Sequence, residues 1–219
     1  MLRSSGLFQT LVLLCVVSLF SIVMISCDGD STDSGVDGDE DNQTTDGDEE
    51  DAPSNGDEDA PVNAVYPESP YGTEQGDTIE DLVFKDCDGN DVALSDFYNK
   101  ADSILINQSA GWCTVCRGEV GTLQSWYNEL KEDGVVIIQA LNQNNSGQPA
   151  NEDFCKAWKD GYGIDFPVLI DADDKLSAYE PEDTMPLNIV LNKEMSIQYI
   201  VTGGVPTEIK QRLTDLADE

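Results

Sequence analysis

An α/β fold, with a central mixed sheet flanked by helices, is predicted by two features of the chain. Short apolar runs of strand length recur at Ser103–Gln108, Val135–Ile138, Val168–Ile170, Leu187–Leu191 and Ser196–Val201. Between them lie segments whose apolar residues step by three and four, the period of one face of a helix. Strands that alternate with helical stretches build one sheet with helices packed on its faces, and here they are expected on both. The pattern occupies about 150 residues at the C-terminal end, a size that can bury a full core.

The elements follow in order. Ser103-Ile104-Leu105-Ile106-Asn107-Gln108 reads as a buried strand, which Ser109-Ala110-Gly111 is expected to break. From Cys116, apolar residues at Val120, Leu123, Tyr127 and Leu130 mark a helix that Gly134 stops. Val135 to Ile138 begins the next strand, and Asn142 to Ala150 reads as a polar loop. Asn151 to Trp158 reads as a further helix, and Asp165 to Ile170 leads into another strand. Asp171-Ala172-Asp173-Asp174 resembles a metal cluster, but a turn that caps a helix explains it better. After the strands at Leu187 and Ser196, Gly203-Gly204 makes a turn. Pro206 suits the first turn of a last helix carrying Ile209, Leu213 and Leu216.

The residues that carry chemistry are Trp112-Cys113-Thr114-Val115-Cys116, at the handover from strand to helix. Cys113 falls at the helix N-terminus, where unpaired N–H groups and the helix dipole favour an anion. That lowers a thiol pKa, and the thiolate is the reactive form. Cys116 lies one turn deeper, on the stripe that packs inward. An exposed attacking sulfur beside a sheltered resolving one suits reversible disulfide exchange. The chain contains no His at all, which excludes a His general base, a Cys-His protease and a His metal ligand. A zinc ribbon needs a second ligand pair, whereas Cys87 and Cys155 are single and distant.

These residues resemble the thioredoxin superfamily, and within it the membrane-tethered TlpA/ResA-like, AhpC/TSA-related thiol-disulfide oxidoreductases, over about Gly76 to Thr214. The resemblance implies a thioredoxin-like fold with an N-terminal β-hairpin extension, written Asp81 to Asp86 and Asp88 to Phe97 with Asp88-Gly89 in the turn. It implies that Cys113 and Cys116 are the redox pair and that Glu119, three residues on, is the acidic residue that relays protons to the buried thiol. It also implies that Met185-Pro186 is the cis-proline turn that, with Trp112, meets the substrate chain. No cofactor beyond the dithiol is expected. The implied partners are protein thiols and disulfides and an upstream electron donor, with the protein acting as a reductant. Thr114-Val115 stands where many relatives have a proline, which leaves the direction of electron flow open. Two alternatives remain. One is a non-enzymatic, lipid-anchored binding module with a permanent structural disulfide. The other is a thiol peroxidase, although Ser109-Ala110-Gly111-Trp112-Cys113 lacks the proline and threonine of a peroxidatic motif.

The other cysteines and the charge place the domain. Residues 1–26 read as a lipoprotein signal peptide: Arg3, an apolar run from Leu7 to Ile25, then Ser26-Cys27, with Cys27 as the lipidated residue. An uncleaved transmembrane helix is the alternative. Either places the domain (71–219) outside the cytoplasm, on the periplasmic side or the cell surface. Residues 27–70 are rich in Asp and Glu with no Lys or Arg, and read as a disordered acidic tether. Its Asp-Gly-Asp-Glu repeats raise weak calcium binding as a second possibility, but none forms a full calcium loop. The formal net charge of -33 argues against nucleic acid, and against direct binding to anionic lipid. A monomer is expected. With Cys15 in the signal peptide, Cys87 and Cys155 remain, and an oxidising compartment makes them candidates for a structural disulfide.

Overall fold

The computed structural model describes residues 65–180 and 182–219. The expected signal peptide, the expected lipidation site Cys27 and the acidic segment up to residue 64 lie outside the described residues.

Seven strands form one mixed sheet in the order β2-β1-β5-β4-β3-β6-β7. They are β1 (Val83–Asp86), β2 (Asp91–Ala93), β3 (Ser103–Ala110), β4 (Val135–Gln143), β5 (Val168–Ile170), β6 (Leu187–Asn192) and β7 (Ile197–Thr202). The three helices are α1 (Thr114–Leu130), α2 (Glu152–Tyr162) and α3 (Thr207–Ala217). β3, β4 and β5 run parallel, because α1 and α2 carry the chain back between them; every other pairing is antiparallel. β1 and β2 form the N-terminal hairpin, and Gly89 takes a positive φ in its turn.

β3 is the central strand, and all eight of its residues are buried. Leu105 points to one face with Ile137 and Val190, while Ile104 and Ile106 point to the other with Ile138 and Ile189. This is the two-sided burial of an interior parallel strand. Two strands run further than their apolar runs suggest. β3 continues through Ser109-Ala110, and β4 through Gln139 to Gln143, although Ser109, Gln139, Asn142 and Gln143 are polar. Ser109 and Gln139 hydrogen-bond across the sheet, Asn142 donates to Asp174 and Gln143 accepts from Trp112, so these side chains do not end the strands.

The three α-helices share one face. Val120, Leu123 and Trp126 of α1, Cys155 and Trp158 of α2, and Ile209 and Leu213 of α3 enter the same core. The expectation of helices on both faces is therefore met differently. The second face is covered by Ile79 and Leu82 of the N-terminal segment and by two short 3-10 turns carrying Leu94 and Leu176. On α1, Trp126 is buried and Tyr127 only partly so, because Tyr127 reaches the helix margin to meet Phe166 edge-on at 5.9 Å. Packing begins before Tyr71: the Tyr66 hydroxyl donates to the Ile79 carbonyl at 2.9 Å, and its ring meets Tyr98 edge-on.

Helix ends follow their local sequence. Asn151 caps α2 by accepting from Phe154 N at 2.9 Å. α1 runs into a 3-10 turn that ends at Gly134 in the left-handed region, with φ +79°. α3 starts directly after Pro206. The Asp171–Asp174 segment is a capping turn: Asp171 accepts from Lys175 N and Leu176 N at the start of a 3-10 turn.

Candidate active site

The site sits at the C-terminal end of β3, where the parallel strands stop and α1 begins. Gly111 closes the strand, its N–H bonded to the Gln143 carbonyl at 2.8 Å. A Cβ there would meet the Phe154 ring and the Asn145 backbone at 2.6 Å, so only glycine fits against the neighbouring loop and α2. Trp112 follows, half exposed, its indole N–H donating to Gln143 Oε1 at 2.6 Å. That bond ties the active-site turn to the end of β4.

Cys113 is the N-cap of α1. Its Sγ accepts from the backbone N–H of Cys116 at 3.1 Å. A donor aimed at the sulfur, at the positive end of a 17-residue helix, stabilises a thiolate over a thiol. Cys113 and Cys116 are joined as a disulfide with their Cα atoms 5.3 Å apart. The expected contrast between an exposed and a sheltered sulfur is small in this oxidised form: Cys113 is 5 % exposed and Cys116 1 %. The large apolar side chains exposed around the pair are Trp112 and Val115. Met185 packs on Cys113, Cys116 and Ala110, and the Met185–Pro186 peptide bond is cis. The structure thus brings Trp112, Cys113, Cys116, Met185 and Pro186 to one place from three segments of the chain.

Glu119 lies one turn beyond Cys116 and is partly buried. Its Oε1 accepts from Val205 N at 2.6 Å, while its Oε2 is buried with no partner. Burial pushes the carboxyl above its ordinary range, and the Val205 N–H opposes this in part. Relative to the unfolded chain, the fold therefore disfavours the charged form. The carboxyl's stabilising contribution is present below the unfolded carboxylate range and is lost as pH rises through the raised value. Glu119→Gln keeps an acceptor for Val205 and removes the buried charge. The variant is expected to melt higher than the wild type at neutral pH, with the difference closing as the pH falls through the raised value to the unfolded carboxylate range. Thermal unfolding across pH checks this, and a gap that widens on acidification would contradict it.

Cys87 and Cys155 form a separate disulfide, Cα–Cα 5.2 Å, which ties the hairpin turn to α2. It belongs to the helix-side core and not to the Cys113–Cys116 cluster. Cys155 is fully buried and Cys87 is 9 % exposed. Beside it, an exposed ion pair joins Lys156 to Asp88 at 3.2 Å, a contact worth little by itself.

A dithiol at a helix N-terminus, beside a cis-proline turn on a mixed sheet, can be set against known proteins. The sequence profile of the AhpC/TSA family matches residues 75–200, more than half of the chain. The thiol-disulfide oxidoreductase ResA of Bacillus subtilis is 31% identical over 130 residues, covering 59% of this chain and 68% of the relative. The chain belongs to the AhpC/TSA family, and within it to the thiol-disulfide oxidoreductases. Two solved structures show the same fold at lower identity. A putative thiol:disulfide interchange protein DsbE from Chlorobium tepidum has TM-score 0.56 at 17% identity, covering 67% of this chain and 99% of that one. A putative protein disulfide isomerase from Bacteroides thetaiotaomicron has TM-score 0.57 at 19% identity, covering 68% and 93%. This oxidoreductase therefore has a thioredoxin-like fold.

One part of the oxidoreductase escaped the reading of its sequence. Asn107, Ser109, Gln139 and Asn188 form a buried polar row on the helix side of the sheet, running under the site. The sheet register sets Asn107 beside Gln139 on one flank and beside Asn188 on the other. The signal was present as carboxamides interrupting apolar strands, but only strand pairing places them in one row.

Proposed function

We propose that this oxidoreductase is a lipid-anchored, extracytoplasmic reductant of protein disulfides. The observation that carries the reading is the Cys116 N–H aimed at Cys113 Sγ at the start of α1. In the reduced protein, the Cys113 thiolate attacks a partner disulfide. One sulfur of the partner leaves as a thiolate and a mixed disulfide forms. The Cys116 sulfur, having lost its proton, attacks Cys113. The second partner sulfur leaves and takes up a proton, and the Cys113–Cys116 bond closes. Two electrons have passed to the partner, and an upstream dithiol donor restores the pair. Glu119 takes the proton from Cys116 in this direction and returns it in the other. Trp112, Val115 and the Met185–Pro186 turn form the apolar rim on which the partner chain rests.

The location is supported by the N-terminal sequence: Arg3, the apolar stretch Leu7 to Ile25, and Ser26-Cys27 as an acylation site. A second disulfide outside the redox motif suits an oxidising compartment. Residues 27–65 would then act as a charged spacer between lipid and domain. Cys87–Cys155 would act as a permanent staple.

Equilibration in glutathione and dithiothreitol buffers, with thiol trapping, tests the reading. A two-electron transition of the Cys113–Cys116 pair is expected in the reducing part of the thioredoxin-like range, near about -270 mV. A pair that stays oxidised in strong reductant would be a structural bridge, and the enzyme would not be a dithiol exchanger.

A further inference from the structure

The single hydrogen bond that Glu119 accepts comes from the peptide unit joining Gly204 to Val205. The carbonyl of that same unit accepts from Asn188 Nδ2 at 2.8 Å. A peptide unit is planar, with its C=O and N–H pointing opposite ways. Fixing the carbonyl therefore aims the N–H. A bond donated to the carbonyl also polarises the unit and strengthens its N–H as a donor. Asn188 and Glu119 do not need to touch for one to act on the other.

Asn188 can do this only if its amide nitrogen, not its oxygen, faces Gly204. A chain of buried groups settles that direction. Trp158 Nε1 donates to Gln139 Oε1 at 2.7 Å, Gln139 Nε2 to Asn107 Oδ1 at 2.9 Å, and Asn107 Nδ2 to Asn188 Oδ1 at 2.8 Å. An indole N–H can only donate, and a peptide carbonyl can only accept. Both ends of the chain thus require the same orientation of all three carboxamides. Gln139, Asn107 and Asn188 are each at most 1 % exposed, so water does not compete for these bonds. Ser109 adds a second donor to Asn107 Oδ1 at 2.7 Å. The turn has a further tie at Gly203, whose N–H donates to the Pro186 carbonyl at 2.9 Å. It also comes close to the carboxylate: a Cβ on Gly204 would lie 3.3 Å from Glu119 Oε1.

We propose that Asn188 is a positioning residue for Glu119, acting through the Gly204–Val205 peptide, and that Trp158, Gln139 and Asn107 fix the direction in which it donates. The row spans β4, β3 and β6 and ends at the turn that holds the acid beside the dithiol. In the oxidised protein, burial raises the Glu119 carboxyl and the Val205 N–H opposes it. The consequence for catalysis rests on the proton-transfer role of Glu119 given above; the positioning itself does not.

The test is a carbon-13 carboxyl titration of Glu119 in the full chain, for wild type and Asn188→Leu. Losing the carbonyl bond loosens the N–H that steadies the carboxylate, so Glu119 is expected to titrate at higher pH in the variant. Trp158→Phe, at the far end, should shift it the same way by less. If Asn188→Leu does not fold, Asn188→Ser carries the same test: the shorter side chain lacks the amide that reaches the Gly204 carbonyl. An unmoved Glu119 titration in a folded Asn188 variant overturns the inference. The pH profile of disulfide exchange in Glu119→Gln separates the two readings. If that profile matches wild type while Asn188→Leu still moves the titration, the proton-transfer role falls and the positioning stands. If Glu119→Gln removes a limb of the profile while Asn188→Leu moves nothing, the reverse holds.

Discussion

Cys113→Ser is expected to abolish disulfide exchange, lowering its rate by on the order of 10³-fold or more. Cys116→Ser should also stop turnover, but at a different point. The physical distinction is position. Cys113 Sγ receives the Cys116 N–H at the helix N-terminus and lies beside the exposed Trp112 and Val115. Cys116 lies one turn in, 1 % exposed. With Cys113 intact and Cys116 replaced, the first attack proceeds and no resolving sulfur follows, so a mixed disulfide accumulates. With Cys113 replaced, nothing attacks. Mass spectrometry after incubation with a disulfide-bonded peptide reads both variants. A mixed disulfide in Cys116→Ser alone supports the assignment. The same adduct in Cys113→Ser alone would reverse the two roles.

The second large effect concerns stability. The Cys87–Cys155 bridge spans 68 positions of sequence. In the chain-entropy description, closing a loop of that length removes about 4 kcal/mol of freedom from the unfolded state. Replacing both residues with alanine is therefore expected to lower the melting temperature by roughly 10 °C, with little change in the potential of the Cys113–Cys116 pair. The two bridges occupy separate clusters, which is why the effects should separate. Thermal unfolding with redox titration of the same variant measures both. An unchanged melting temperature would mean the bridge does not constrain the unfolded chain, and a large shift in potential would mean the two sites are coupled.

Where the sequence was legible, the information was local. The three-and-four spacing from Cys116 to Leu130 sets α1, Gly134 closes the turn that follows it, and apolar runs mark the strands. Two cysteines three apart at a strand-to-helix junction can only fall at the start of that helix, whatever the rest of the fold does. Such features depend on neighbours within one turn or one strand, which the order of residues already specifies. The strands run on at Ser109-Ala110 and at Asn142-Gln143, where the sequence alone suggests a break and a loop, because the partners of these polar side chains come from distant parts of the chain.

Only the tertiary structure decided the rest. Val205 reaches Glu119 across 86 positions of sequence, and Asn107 reaches Asn188 across 81. Neither pairing leaves a periodic trace, because each depends on sheet register and on how a turn lies over a helix. The same holds for Cys87 and Cys155, which α2 brings within bonding distance. The sequence by itself determined an α/β domain with a dithiol at a helix N-terminus. Packing alone determined which peptide and which buried amides hold Glu119, since a buried polar group takes its partner from whatever the fold sets beside it.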